Sequence, residues 1–297
     1  MTANPAELAL LNDFQHGLPL CPRPFAAIAQ QLGVAEDTVH RMISALLAQG
    51  KISRVGAVFR PRTIGASTLA ALAVPESRIE QVAAMVNAHR EINHNYARQH
   101  AWNLWFVAAA PDGPHLARVL DDIEARSGCA LIRLPLVEDY HIDLGFDLHG
   151  RPDARRTARP PAQPVALTAQ ETALVAALED GLAPVARPYA ELAARAGASE
   201  AQVLATLDRW TRAGVIARMG LVVRHHELGF QANAMAVWDV PDAVVDSIGR
   251  RIAAVDGVTL CYRRESAPGW PYTLYCMVHG RERGAVRALI DAAVRNA

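Results

Sequence analysis

A chain of 297 residues is about twice the common domain size of about 100–150 residues, so two domains or a duplicated unit is expected in place of one core. Hydrophobic residues at 51% and charged residues at 20% exclude intrinsic disorder, and no apolar run approaches the roughly 20 residues of a membrane-spanning helix. Thirty basic against thirty acidic residues give zero formal net charge, which counts against a protein held mainly by phosphate contacts.

The four cysteines, Cys21, Cys129, Cys261 and Cys276, are scattered and form no CxxC pair, so neither a disulfide framework nor a zinc site is indicated and no protein-bound metal is expected. The first eleven residues carry Glu7 and no basic stretch ahead of a short apolar run, unlike a secretory signal. A soluble, cytoplasmic protein is expected.

In chain order, helical spacing is read over residues 8–14, 25–32 and 36–49, where Val39, Ile43, Leu46 and Leu47 share one face and Gly50 stops the helix. The short turn at Gly33 between two helices is a helix-turn-helix signature, and residues 52–59 alternate like a strand or wing. There follow a strand (68–74), a helix (79–89), strands (91–98 and 102–110), a helix (115–127) and a strand (129–137). That order is the ferredoxin-like βαββαβ plan.

The chain then repeats itself. Displaced by 164 residues, positions 17–65 align with 181–229 without a gap, with 16 identities in 49 pairs, among them Gly17/Gly181, Arg23/Arg187, Gly56/Gly220 and Arg60/Arg224. The fold class is therefore α+β, a tandem duplication of a winged helix-turn-helix plus a ferredoxin-like domain. The halves are read as 1–150 (helix-turn-helix 6–60, ferredoxin-like 66–149) and 167–297 (helix-turn-helix 168–224, ferredoxin-like 230–297). A stiff linker rich in Pro and Arg spans 151–166. The second half ends after a helix at 281–296 and lacks a counterpart of residues 129–148, so its final strand is expected to be missing. Four residues are inserted ahead of Tyr272, between two alternating runs, where a hairpin loop tolerates change.

The recognition helices open with Glu36 and Asp37 in one copy and Glu200 in the other, and acidic side chains there repel phosphate. Packing between the halves is the expected role of these helices, and DNA is not an expected partner. The strands carry more chemistry. Alternation places Ile92, His94, Tyr96 and Arg98 on one face of one strand and Val258, Leu260, Tyr262 and Arg264 on the equivalent face of its repeat, with Arg263 on the other. Tyrosine and arginine repeat, whereas His94 becomes Leu260. After the wing, His225 and His226 replace Pro61 and Arg62.

A winged helix-turn-helix followed by a ferredoxin-like domain resembles the Lrp/AsnC group of ligand-responsive regulators. The strings Asn93-His-Asn-Tyr-Ala-Arg-Gln-His100, Asn103-Leu-Trp-Phe106, Val223-Arg-His-His-Glu-Leu-Gly-Phe230 and Leu260-Cys-Tyr-Arg-Arg264 more narrowly resemble the siroheme decarboxylases, Lrp/AsnC-like proteins of heme d1 biosynthesis. The first copy looks like the D-type subunit of that family and the second like its L-type subunit, a natural fusion. The resemblance implies that siroheme is the substrate and that two acetate side chains leave as carbon dioxide, giving didecarboxysiroheme. It implies no cofactor beyond the substrate, whose own iron belongs to the tetrapyrrole.

Such a reaction needs cations for the substrate carboxylates and a general acid for the carbon left behind. Histidine, whose ordinary pKa lies near neutral pH, is the first choice. The candidate acids are His94, His100, His225 and His226, and of the adjacent pair only one is expected to reach a site. The candidate substrate-binding residues are Tyr96, Arg98, Trp105, Arg218, Arg224, Tyr262, Arg263 and Arg264. Arg54/Arg218 and Arg60/Arg224 can equally brace the wing, and Trp102 and Trp105 can fill core. The remaining histidines His16, His89, His115, His149 and His279 read as structural. One productive site is expected, with the two halves pairing inside the chain, their sheets face to face, and a homodimer allowed. The rival reading is an Lrp/AsnC-type regulator that senses a small ligand or heme.

Overall fold

The computed structural model describes residues 4–142, 145 and 163–297, apart from the side chains of Asn93, His94 and His225. The expected linker as far as residue 162, and His149, lie outside the described residues. The first repeat gives α1 (Pro5–Asp13), α2 (Pro24–Leu32), α3 (Glu36–Ala48), β1 (Ile52–Phe59), β2 (Ala66–Leu72), α4 (Ile79–Asn87), β3 (Ile92–Ala97), β4 (Leu104–Ala110), α5 (Gly113–Ser127) and β5 (Leu131–Ile142). The second gives α6 (Ala169–Glu179), α7 (Pro188–Ala196), α8 (Glu200–Arg212), β6 (Ile216–Val223), β7 (Ala232–Trp238), α9 (Asp242–Ala253), β8 (Val258–Arg264), β9 (Leu274–Gly280) and α10 (Arg283–Asn296). Helix starts follow local chemistry. Pro24 and Pro188 open α2 and α7, where a missing N–H costs nothing, and Thr168 with Glu171 and Ser199 with Gln202 form capping boxes on α6 and α8.

In space, like pairs with like across the repeat. One compact unit takes residues 1–64 and 145–231, and the other takes residues 65–144 and 232–297. In the first, the two helix-turn-helix segments share one core, with Leu10, Phe25, Ile28 and Ile43 from one copy and Tyr189, Leu192, Leu207 and Trp210 from the other. The two wings pair as an antiparallel ribbon, β1 with β6, with Gly56 opposite Gly220. The N–H of Leu18 donates to the Met219 carbonyl at 2.9 Å, and its repeat mate Leu182 donates to Val55 at 2.7 Å. A side chain at Gly220 would run into the carbonyl oxygens of Phe14 and Gln15, which explains why glycine stands there. At the front of the recognition helices, Glu36 is paired with Arg23 and Glu200 with Arg187. An acid at a helix N-terminus also suits the helix dipole.

The second unit carries a seven-stranded sheet in the order β3-β4-β2-β5-β8-β9-β7. Its first four strands have the ferredoxin-like order. Strand β5 runs five residues beyond the expected end because it serves both copies: Leu131 to Pro135 pair with β2, and Leu136 to Ile142 pair with β8. Among the described residues the second half contributes three strands to this sheet, and β5 lies beside β8, at the margin away from β7. Alternation sorts the apolar side chains into layers. Ala70, Leu72, Leu104 and Phe106 pack with α4 and α5, while Val258, Cys261, Cys276 and Val278 pack with α9 and α10. Between them Leu69, Trp105 and Leu134 of the first copy meet Tyr262, Trp270 and Tyr275 of the second. The inner faces of the two half-sheets therefore share one apolar cluster.

One face assignment is corrected. A bulge between Ile92 and His94, repeated between Val258 and Leu260, reverses the alternation, so Ile92 and Val258 pack on the helix side while Leu260 joins the inner cluster.

Candidate active site

Within the sheet unit the candidate groups gather where the β3–β4 and β8–β9 hairpin loops meet. The backbone register sets His94 opposite Val107 and Tyr96 opposite Trp105; the His94 side chain is outside the described residues. Tyr96 is the most exposed of the inner-face aromatics at 38%, its hydroxyl pKa raised by burial and partly offset by Arg98, whose guanidinium carbon lies 5.3 Å from the ring centroid. Arg98 is exposed and directly follows β3, its N–H donating to the Asn103 carbonyl.

His100 sits in the turn that follows. The backbone N–H of Trp102 donates to its Nδ1 at 3.0 Å. In the neutral ring an Nδ1 that accepts carries no proton, so the proton stands on Nε2, and the ring releases a proton near neutral pH only from its imidazolium form. The ring stands edge to face with Trp270, centroids 5.2 Å apart, and Trp270 lies 4.8 Å from Trp105. The indole N–H of Trp102 reaches the Gly269 carbonyl at 3.4 Å. Trp270 arrives on a tight turn, Ala267-Pro-Gly-Trp270, closed by N–H···O bonds of 2.8 and 3.0 Å between its ends. Gly269 at φ 75°, after a proline, meets the left-handed requirement of that turn.

Trp270 donates its indole N–H to the Tyr275 hydroxyl at 2.7 Å. Tyr275 stacks on Tyr262 at 5.4 Å, and the Arg264 guanidinium carbon lies 4.7 Å over the Tyr262 ring. Arg264 also donates to the Leu134 carbonyl at 2.7 Å. Burial raises the pKa of both tyrosines, Tyr275 to about 12, so both keep their protons. A continuous path of ring contacts and hydrogen bonds thus joins His100 of the first copy to Arg264 of the second.

Three expected ligand contacts fall elsewhere. Trp105 is 4% exposed and packs inside the shared cluster, its N–H bonded to the Trp102 carbonyl, so it is core. Arg263 points to the helix side, paired with Asp242 at 2.6 Å and Asp246 at 3.5 Å, because neighbouring strand residues alternate. Arg218 belongs to the other unit and is 7% exposed, donating to the carbonyls of Gln15 and Leu221: it braces the wing ribbon. Arg224 is exposed in that same unit, and His225 and His226 follow it in a 3-10 turn, His226 exposed and the His225 side chain outside the described residues.

Comparison with known proteins decides the family. The AsnC-like ligand binding domain profile matches residues 64–141 and 227–297, and the siroheme decarboxylase NirDL-like HTH domain profile matches residues 7–52 and 171–216. The siroheme decarboxylase NirDL subunit of Paracoccus denitrificans is 46% identical over 294 residues, 98% of this chain and 90% of that protein. The chain belongs to the siroheme decarboxylase NirDL family. A more distant relative, the siroheme decarboxylase of Hydrogenobacter thermophilus, is 30% identical over 96% of this chain and 86% of that one. A crystal structure of siroheme decarboxylase NirDL in complex with an iron-uroporphyrin III analogue superposes with a TM-score of 0.66 at 28% identity, covering 98% of this chain and 86% of that one.

In this member of the NirDL family, sequence reasoning missed Trp270 and Tyr275. The four-residue insertion ahead of Tyr272 was the available signal, since it carries Pro268, Gly269 and Trp270. Nothing in the sequence showed that it would cross to the first copy. Among the described residues no three His, Cys, Asp or Glu side chains gather as a metal site, and no helix is long and apolar enough to span a membrane.

Proposed function

We propose that this chain removes carbon dioxide from two acetate side chains of siroheme, giving didecarboxysiroheme for heme d1 biosynthesis, with the sheet unit supplying the chemistry. The 46% identity to a NirDL subunit over 98% of the chain carries the reading. The tetrapyrrole held by the crystallised relative supports a macrocyclic ligand.

Each step breaks the bond between the acetate methylene and its carboxylate. Carbon dioxide leaves, the electron pair stays on the methylene carbon, and the conjugated ring delocalises it. Protonation there yields a methyl group. The substrate is its own electron sink and brings its own iron, so the protein must supply cations and one proton donor. Arg98 and Arg264 are the cations for the carboxylates, since guanidinium binds carboxylate bidentately and stays charged. Tyr96, partly exposed, lies beside Arg98. His100 is the preferred acid, because its ring stands where the two hairpin loops meet; it delivers the proton as imidazolium, in which Nδ1 is released from the Trp102 N–H and the ring returns to the neutral Nε2–H or Nδ1–H form. His94, His225 and His226 remain the rival acids.

A DNA-binding regulator is the weaker reading, since Glu36 and Glu200 stand at the front of the two recognition helices, held there by ion pairs with Arg23 and Arg187. Anaerobic incubation of the purified protein with siroheme, followed by mass spectrometry, tests the proposal. Loss of two carboxyl groups supports it, and unchanged siroheme defeats it.

A further inference from the structure

The inserted turn of the second copy does something its position in the sequence hides. Residues 267–270 form a closed turn with proline and glycine at its corner, so Trp270 is delivered rigidly. Trp270 is 5% exposed and touches three elements at once: the His100 ring at 5.2 Å, the Trp105 ring at 4.8 Å and the Tyr275 hydroxyl at 2.7 Å. His100 itself lies in an exposed turn and holds only one described hydrogen bond to its ring, from the Trp102 N–H. One hydrogen bond leaves rotation about that axis open, and an aromatic wall set at 85° to the imidazole closes it. The first copy's β3–β4 loop is shorter by the four inserted residues, so only the second copy can furnish such a wall.

We propose that Trp270 is a positioning residue: it fixes the ring plane of His100 in the other copy so that Nε2–H faces the substrate. This rests on the reading of His100 as the acid. It also explains physically why one productive site arises from a duplicated chain, for the acid belongs to one copy and its clamp to the other.

The test uses the full chain carrying Trp270→Leu, Trp270→Phe, His100→Ala, and His100→Ala with Trp270→Leu. Trp270→Leu is expected to lower kcat about 10- to 100-fold while KM for siroheme moves less than about threefold, and Trp270→Phe, which keeps a ring against the imidazole, to stay within about threefold. The double variant should be no slower than His100→Ala, because nothing is left to position. In 15N-histidine spectra the His100 ring should give one sharp set of signals in the native and Trp270→Phe proteins and exchange-broadened signals in Trp270→Leu, where the ring plane is no longer fixed. Multiplying losses in the double variant, or His100 ring signals as sharp in Trp270→Leu as in the native protein, overturns the proposal. If Trp270→Leu does not fold, Gly269→Val, which strains the turn, replaces it, and native kcat and native His100 ring signals there overturn the proposal equally. A slow His100→Ala beside a fast Trp270→Leu refutes positioning alone, whereas a fully active His100→Ala refutes the acid reading beneath it.

Discussion

The two compact units treat the same duplication in opposite ways. In the helix-turn-helix unit the copies kept each other's mirror: Leu18 and Leu182 make matching bonds to the opposite wing, and Arg23–Glu36 and Arg187–Glu200 repeat the same ion pair. In the sheet unit they diverged: His94 became Leu260, one hairpin gained four residues, and β5 was lengthened to serve both halves. Symmetry survives where packing is the job, because each copy must offer the same surface to the other. It is lost in the unit to which the proposed function assigns the chemistry, where a grip and a proton from unequal sides would need unequal copies.

The largest effect that sharpens this contrast is expected at His100. His100→Ala should lower kcat about 100- to 10,000-fold with siroheme binding held within a few-fold, as for loss of a general acid. Single His→Ala changes at His94, His225 and His226, assayed alongside, rank the rivals. Full activity in all four variants moves the acid to Tyr96 or Tyr262 and dissolves the asymmetry just described.

The next effect is one of stability, and it probes how far the mirror holds. Gly56 and Gly220 face each other in the wing ribbon, yet a Cβ at Gly220 overlaps two backbone carbonyls while one at Gly56 meets the Gly181 Cα at an ordinary 3.5 Å. Gly220→Ala should cost about 3 kcal/mol and Gly56→Ala less than about 1 kcal/mol in urea unfolding, as overpacking against backbone cannot relax. Equal costs would mean that the two wings are tighter mirrors than the structure shows.

A smaller effect is expected at the cations. Arg98→Met should raise KM for siroheme about tenfold with kcat little changed, since a clamp contributes binding in ground and transition states alike. Arg218→Met should instead lower stability and leave KM untouched, because its guanidinium is spent on backbone carbonyls. Reversed outcomes would move the binding site toward the wing.

Much of the fold was legible because it rests on local signals. The strand at Ile52–Phe59 was read to the residue, and every helix of the first copy was placed within three residues of its ends, since periodicity, proline starts and glycine stops are written locally. What could not be read is non-local. The extra length of β5 comes from pairing with β8, more than 100 residues away in sequence, and the face of Ile92 was misjudged because a bulge leaves no clear mark in the residue pattern. The site was half legible for the same reason. His100, Tyr96 and Arg98 stand in one short string, whereas the Trp270 contact needs the fold to bring residues 100 and 270 together. Arg218 and Trp105 looked like ligands because composition cannot tell a buried arginine or tryptophan from an exposed one.

The smallest effect concerns the seam that makes the divergence workable. Strand β5 is fastened to the second copy by the Tyr140 hydroxyl, which donates to Asp246 on α9 at 2.5 Å, with the Arg263 guanidinium 3.5 Å from the same carboxylate oxygen. The Tyr140 bond first, against a lesser burial effect, and then the Arg263 charge hold the Asp246 carboxyl below its ordinary range. A carboxyl depressed in the folded state adds stability that is fully present above its unfolded pKa near 4 and is lost as pH falls through the lower folded value. About half of the Asp246 side chain is exposed, at 47%, so solvent screening limits its charge contribution to a few tenths of a kcal/mol. Tyr140→Phe removes the bond without opening a cavity and should cost about 1 kcal/mol at neutral pH. It should also flatten the fall in stability as pH drops below about 4. Thermal unfolding of both proteins across that range decides it: parallel curves would show that the seam is held by strand pairing alone, and convergence at low pH that the Tyr140–Asp246 bond fastens the two copies.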